Sequence, residues 1–207
     1  MTESYYISIS LHSRLYQRLC TEPVIYQLFA GSYHSRFRLI DENEPETIEE
    51  ALEYWTETYP NLFHTETKTR RIIENFQVEI ENASLRTAYL EQIEPRIAEA
   101  LSQELRQRQS EDIEVVRKLL YGDRYFEVHG QREFKLVPLP TVQAGAKMLM
   151  QMEPQDLFEI DSDWTIEKSL NKRDESMEEC CARFFSYWKD LYLDAAEQEN
   201  VILIAST

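Results

Sequence analysis

A histidine close to carboxylates is the first candidate for chemistry in this chain. His129 lies two residues after Glu127, within residues 124 to 137 (RYFEVHGQREFKLV). An imidazole beside a carboxylate can take up and return a proton in a hydrolytic reaction. Asp161 is a further carboxylate that could join this pair if the fold brings the segments together. His129, Glu127 and Asp161 are therefore the candidate catalytic residues, although a histidine at a turn is more often simply solvated.

The segment around Asp161, DSDWT at residues 161 to 165, has the DxDxT spacing of the nucleophile loop in haloacid-dehalogenase-type phosphotransferases. That chemistry needs the first aspartate at the end of a buried parallel strand, but Pro154 lies where such a strand would begin. A calcium loop starting at Asp161 would have Ile166 where glycine is required and Lys172 where a bidentate glutamate is required. We expect neither site.

Other chemistry-bearing patterns are missing from the sequence. Its four glycines form no GxGxxG or GxxxxGK[ST] loop, which are the usual phosphate-binding patterns. HExxH, CxxC and GxSxG are missing as well. No two of the four histidines are three or four residues apart, the helical spacing that would place two ligands on one metal. The sequence therefore predicts no cofactor and no metal ion.

The charge of the chain favours a basic partner. It has 22 basic and 38 acidic side chains, a formal net charge of −16. This charge repels phosphate backbones and anionic lipids, so we predict binding to neither nucleic acid nor membrane. A strongly acidic protein instead attracts basic proteins.

The acidic residues are concentrated in residues 41 to 59, DENEPETIEEALEYWTETY, a stretch without a single base. On a helix, apolar side chains such as Leu52 lie on one face. Four glutamates form a line on the other face: Glu46, Glu50, Glu53 and Glu57. This pattern predicts either an ordinary solvated face or a docking face for a basic protein.

The end of the chain predicts a helix followed by a buried strand. From Met177 to Ala195 the apolar residues share one helical face that includes Cys180 and Cys181. Thiols in such a stripe behave as small hydrophobes and keep their protons. Residues 201 to 205 (VILIA) form a continuous apolar run, which is typical of a strand covered on both faces.

Further strands are predicted upstream. Residues 5 to 10 and 33 to 40 alternate apolar and polar side chains, and residues 124 to 137 indicate a hairpin. Pro140 suits the start of a helix over residues 141 to 152, where Gly145 and Ala146 favour close packing. Residues 61 to 118 are mostly polar and helix-forming.

These elements predict an α+β protein. We expect a single helix-rich domain over residues 1–207 around a mixed sheet of about five strands, with the N- and C-terminal strands in the sheet. A polar helical insertion is expected at about residues 61–118.

Three stretches resemble the YfbM-like family of bacterial proteins. They are the opening YYISIS with the leucine-spaced helix after it, residues 119–159 (LLYGDRYFEVHGQREFKLVPLPTVQAGAKMLMQMEPQDLFE) and residues 184–204 (FFSYWKDLYLDAAEQENVILI). The resemblance covers the first twenty residues and residues 119 to 205. It implies a compact α+β domain whose terminal aromatic helix leads to a last strand, and it implies no activity, cofactor or catalytic residue.

The location of the protein follows from its cysteines and its apolar segments. Three cysteines give no disulfide framework, which is typical of a reducing compartment. No signal peptide is recognisable at the N-terminus, and no window reaches the ~20 apolar residues needed to cross a bilayer. We therefore predict a cytoplasmic protein.

Two hypotheses about function remain. The first is a non-enzymatic interaction or regulatory protein that binds a basic protein partner through an acidic surface. The second is a small hydrolase-type enzyme that uses His129 with Glu127 or Asp161. The sequence predicts no oligomeric state.

Overall fold

The structure is a computed structural model, and the chain forms two compact units. The structure describes residues 5–23, 25–26, 29–30, 57, 71, 75, 87–91, 93–108, 113–172 and 174–206. Backbone contacts group Met1–Ser13 with Arg86–Thr207 in the first unit and place Arg14–Leu85 in the second. The predicted domain over residues 1–207 thus comprises two compact units.

The second unit is described mainly through its first helix. Helix α1 spans Ser13–Thr21, with Leu15 and Leu19 buried one turn apart. Tyr26 and Phe29 are also helical and buried. The predicted strand at residues 33 to 40 lies outside the described residues.

The first unit is built on one antiparallel sheet. Its strands are β1 (Tyr5–Leu11), β2 (Thr87–Glu91), β3 (Arg124–Val128), β4 (Gln131–Val137) and β5 (Val201–Ser206). Their order is β2-β1-β5-β4-β3, and every described strand pair is antiparallel. The expectation of a mixed sheet is therefore wrong. Apolar strands mark a sheet that is covered on both faces, but they do not reveal strand direction.

Strand β5 lies at the centre of this sheet. It pairs with β1 through Ile9 opposite Leu203 and with β4 through Val137 opposite Ile202. Side chains on both of its faces are buried, including Ile202 and Leu203. Both the predicted burial and the placement of the N- and C-terminal strands in the sheet are confirmed.

Six helices of the first unit are described. They are α2 (Glu94–Gln107), α3 (Ile113–Tyr121), α4 (Leu139–Leu149), α5 (Pro154–Leu157), α6 (Ile166–Leu170) and α7 (Met177–Glu197). Together with the sheet they confirm the predicted α+β class.

The predicted polar insertion at about 61–118 is wrong for its second half. Residues 87–91 form β2, and helices α2 and α3 contribute to the main core of the unit. Ile97, Leu101 and Leu105 recur every four residues and are all buried. One narrow apolar stripe is enough to bury a helix on one side, even when the rest of its sequence is polar.

Helix α7 provides the largest fully buried side chains of this core. Trp188 and Tyr192 are fully buried, with ring centroids 5.1 Å apart in an edge-to-face arrangement. The Tyr192 hydroxyl donates a hydrogen bond to the carbonyl oxygen of Leu119 at 2.6 Å. Ser176 caps the helix by accepting from the backbone N–H of Glu179 at 3.2 Å. The predicted apolar face of this helix is confirmed from Cys181 to Ala195, whereas Met177 at its start is 52% exposed and Cys180 is half-buried.

Helices α3 and α4 approach each other closely at Gly145. A Cβ atom at this position would lie 2.5 Å and 2.6 Å from the two terminal carbons of Leu119. Ala146, the next residue, is buried as well. The predicted small-residue packing surface is confirmed.

Candidate functional site

His129 and Glu127 lie near the turn of the β3–β4 hairpin. His129 has a φ of 51° and Gly130 a φ of 77°, as expected of a two-residue turn with both residues left-handed. His129 is exposed. The Glu127 carboxylate accepts a hydrogen bond from Arg132 Nη2 at 2.9 Å, and both of these side chains are more than half exposed. Glu127 thus lies near the end of β3 and is paired with an arginine, and His129 lies in the turn that follows.

Asp161 belongs to a different segment, between α5 and α6. Its carbonyl oxygen accepts from the Trp164 backbone N–H at 3.0 Å, and its side chain is exposed. Thr165 Oγ1 accepts from the Lys168 backbone N–H at 3.2 Å and caps α6. The DSDWT segment is therefore a tight turn that leads into a helix start.

Asp163, in the same turn, forms an ion pair with α6. Its Oδ2 lies 2.6 Å from Lys168 Nζ. The hydrogen bond from this ammonium group lowers the pKa of Asp163 below its ordinary value. The Asp163 carboxylate is therefore negatively charged at neutral pH.

The paired cysteines face different environments. Cys181 is fully buried, and burial raises the pKa of its thiol to about 11, with the nearby charge of Glu178 adding to the effect. Such a thiol stays protonated at neutral pH and is a poor nucleophile. Cys180 is half-buried, with its Sγ 3.9 Å from Arg183 Nη2. The interpretation of Cys181 as a core residue is confirmed.

The described part of the chain contains neither a group of metal-ligating side chains nor a helix that could span a membrane. Within it, no three or more His, Cys, Asp or Glu side chains are grouped so that they could hold a metal ion. None of the helices described there combines the length and the apolar character that crossing a membrane requires.

An open groove of about 290 Å³ lies between α5, the start of α6 and the middle of α7. We call it the α5–α7 groove. Its lining residues are Glu153, Pro154, Gln155, Trp164, Ile166, Ser186, Lys189 and Asp190. This volume falls just below the range of about 300–1,000 Å³ that is typical of small-molecule pockets. The groove is therefore sized for one or two side chains.

Two cations hold the α5 side of the groove in place. Lys189 Nζ donates to the carbonyl oxygen of Met152 at 2.7 Å and lies 3.1 Å from Glu153 Oε1. Arg108, at the end of α2, donates to the carbonyl oxygen of Gln151 at 2.9 Å. These bonds tie the turn before α5 to α7 and to α2.

A second set of contacts fixes α6 against α7. Arg183 binds Glu175 through two hydrogen bonds of 2.7 Å and 3.0 Å, a bidentate geometry that is stronger than a single bond. Glu175 also accepts from the Ser169 hydroxyl of α6. The hydrogen bonds from Arg183 are the main reason why the pKa of Glu175 is lowered, so this bridge is charged at neutral pH.

The surface around the groove is acidic. Residues 153–167 (EPQDLFEIDSDWTIE) contain six acids and no base. Glu153 and Asp190 line the groove, and Glu167 directly follows the lining residue Ile166. Glu153 is paired with Lys189. Asp190, Glu167, Glu159 and Asp161 form no ion pair with any residue that the structure describes. Asp190 is thus the unpaired acid among the lining residues, and three further acids of residues 153–167 are unpaired within the described chain, whereas Asp156 is paired with Arg108.

The predicted docking face at residues 46 to 57 lies almost entirely outside the described residues. Glu46, Glu50 and Glu53 are not among them. Glu57 is helical and exposed, in agreement with the predicted helix at that position. The face itself stays a prediction.

The acidic run at residues 153–167 is the signal by which this site could have been found in the sequence. It lacks any base, as residues 41 to 59 do, but it is shorter and less dense in acids. No comparable signal shows that Asp190 and Trp164 lie at the same groove, because Asp190 belongs to α7 and Trp164 to the turn before α6.

The assignment of this site rests on the geometry of the groove alone, because no related protein supports it. Comparisons of the chain with protein-family models, with curated proteins and with solved structures find no significant match. The resemblance to the YfbM-like family stays a prediction.

Proposed function

We propose that this protein is a non-enzymatic interaction protein that binds a basic protein partner through an acidic surface. The observation that carries the proposal is the exposed acidic run at residues 153–167, beside an open groove on a well-packed unit. Its unpaired carboxylates are available to an incoming cation. The predicted face at residues 46 to 57 is a second candidate surface for such a partner.

We expect electrostatic attraction to control both the rate at which the partner binds and the dependence of its affinity on salt. A surface with one predominant sign of charge accelerates encounter with an oppositely charged partner. Exposed charges act over about 10 Å at 0.1 M ionic strength, so raising the salt concentration should weaken binding. The three free thiols, Cys20, Cys180 and Cys181, are consistent with a reducing compartment such as the cytoplasm.

The hydrolase hypothesis has less support. Glu127 is engaged by Arg132, and His129 and Asp161 belong to separate segments of the chain. None of the three lines the α5–α7 groove.

Reversal of two unpaired acids of residues 153–167 should weaken binding of a fluorescent peptide rich in arginine and lysine. We expect Asp161→Lys with Glu167→Lys to raise the dissociation constant at least about tenfold at low salt, since nearby attraction becomes repulsion. The dependence of affinity on salt should also become shallower. Fluorescence anisotropy at two salt concentrations measures both effects.

The matched control is Glu99→Lys with Glu197→Lys, which changes the net charge by the same amount at two exposed sites outside the groove. Equal weakening by the two pairs would show that only net charge matters. Lack of binding by the unaltered protein at low salt would overturn the proposed function.

A further inference from the structure

Glu94 occupies a position in α2 at which an apolar side chain is expected. The buried residues of this helix recur every three or four positions along one stripe, and they are Glu94, Ile97, Leu101 and Leu105. The three apolar members belong to the main core of the unit. Glu94, the first member, is only 8% exposed. Glutamates are seldom buried to this extent without a partner.

The Glu94 carboxyl group has no counter-charge. Its Oε2 is buried and finds no hydrogen-bond partner among the described residues. The carboxyl group accepts a hydrogen bond from its own backbone N–H, and both this bond and the start of a helix favour the ionised form. Burial outweighs the bond and raises the pKa of Glu94.

The start of α2 lies beside the start of α7, and the ionisable groups there interact with one another. Arg96 Nη1 is 3.4 Å from Glu178 Oε1 of α7. The charge of Glu178 raises the pKa of the buried Cys181 thiol, whereas the charge of Arg96 lowers it. None of these three groups forms an ion pair or a hydrogen bond with Glu94.

The other helices that pack against α2 supply no cation to Glu94 either. They are α3 and α5, and their charged groups are paired elsewhere. These pairs are Arg117 with Glu114, Lys118 with Asp123, and Asp156 with Arg108 at the far end of α2. An ionised Glu94 would therefore be a buried charge without compensation from the described residues, which is strongly unfavourable.

We infer that Glu94 makes the contact between α2 and α7 sensitive to pH. The carboxyl group keeps its proton while it is buried and releases it to water as the pH rises, and the ionised group then favours opening of the first turn of α2. A carboxyl group whose pKa is raised by folding favours the folded state below its ordinary pKa, and this contribution declines as the pH rises through the raised value. Glu175, whose pKa is lowered, acts in the opposite direction, since its contribution is lost as the pH falls.

Glu94→Gln tests the inference, because it keeps the shape of the protonated acid and cannot ionise. We expect this variant to raise the thermal midpoint of unfolding by about 2–4 °C at about pH 8. At about pH 4.5, near the ordinary pKa of a glutamate, the midpoint should be nearly unchanged. Glu94→Met, which continues the apolar stripe, should also be stabilising at the higher pH. Circular dichroism measures all of these midpoints.

Glu99→Gln is the matched control, since Glu99 is an exposed acid of the same helix. It should shift the midpoint by less than about 1 °C at either pH. Carbon-13 NMR of the Glu94 carboxyl group in the unaltered protein gives its pKa directly. A Glu94 that ionises at or below the ordinary value, or a Glu94→Gln shift of the same size at both pH values, would overturn the inference.

Labelling of Cys181 tests the opening itself. In a protein with Cys20→Ser and Cys180→Ser, Cys181 is the single remaining thiol. We expect a maleimide to label this protein at least about threefold faster than its Glu94→Gln variant at about pH 8, and the two rates to converge as the pH falls. Comparing the two proteins at the same pH cancels the ionisation of the thiol. Equal rates across the whole pH range would show that Glu94 does not control the α2–α7 contact.

Discussion

Replacing Ile202 by aspartate should abolish cooperative folding of the first unit. Ile202 is fully buried at the centre of the sheet and belongs to the core that the helices cover. The change removes about 1.5–3 kcal/mol of apolar burial and adds the desolvation of an unpaired carboxylate, several kcal/mol more. Together these approach the whole stability of a typical domain, about 5–15 kcal/mol. Loss of the thermal unfolding transition in circular dichroism would confirm the expectation.

Ile202→Val is the matched control for this position. It keeps an apolar, β-branched side chain and should destabilise the protein by only about 0.5–1.5 kcal/mol. A stable, cooperatively folded Ile202→Asp protein would contradict the central position of β5, since an exposed or frayed strand could accommodate the charge.

Replacing Gly145 by valine should be the next most damaging change. A Cβ alone at this position would come within 2.5 Å of Leu119, which is itself fully buried. Overpacking a close-packed core by one or two carbons usually destabilises by about 1–3 kcal/mol, and sometimes by more. Because this clash begins at Cβ, even Gly145→Ala should be destabilising despite the higher helix propensity of alanine. Urea unfolding measures the loss.

A second substitution distinguishes steric overlap from other causes. Leu119→Ala alone leaves a cavity and should be destabilising. Combined with Gly145→Val it should be less destabilising than the sum of the two single changes, because the valine fills part of the space that the leucine leaves. Simple additivity of the two losses would contradict the close approach of α3 and α4.

The parts of the fold that could be predicted have strong periodic signals. The continuous apolar run of β5 and the wide apolar face of α7 each bury large side chains, so local pattern and tertiary packing agree. Strand β2 has no such signal. Its sequence, TAYLE, is short and lies in a polar stretch, and it pairs with β1 across about eighty residues. Pairing at this distance leaves little trace in the local sequence.

The candidate site could be predicted only in part, for a related reason. The helix that carries Lys189 and Asp190 was predicted, and in the structure Asp190 is exposed whereas the Lys189 side chain is mostly buried. That α5 and Trp164 pack beside this part of the helix depends on tertiary contacts, such as the bond from Lys189 to Met152. The acidic run at residues 153–167 was readable in the sequence, but charge alone does not reveal which acids remain unpaired.

An NMR titration of the isotope-labelled protein with the basic peptide tests the central claim most directly, because it locates the contact without altering the protein. We predict that amide signals from residues 153–167 and 186–190 shift, and that the indole N–H signal of Trp164 shifts with them. The indole signal of Trp188, which is fully buried away from the groove lining, should stay in place. Shifts confined to the β3–β4 hairpin around His129, or none in residues 153–167, would contradict a binding surface at the α5–α7 groove.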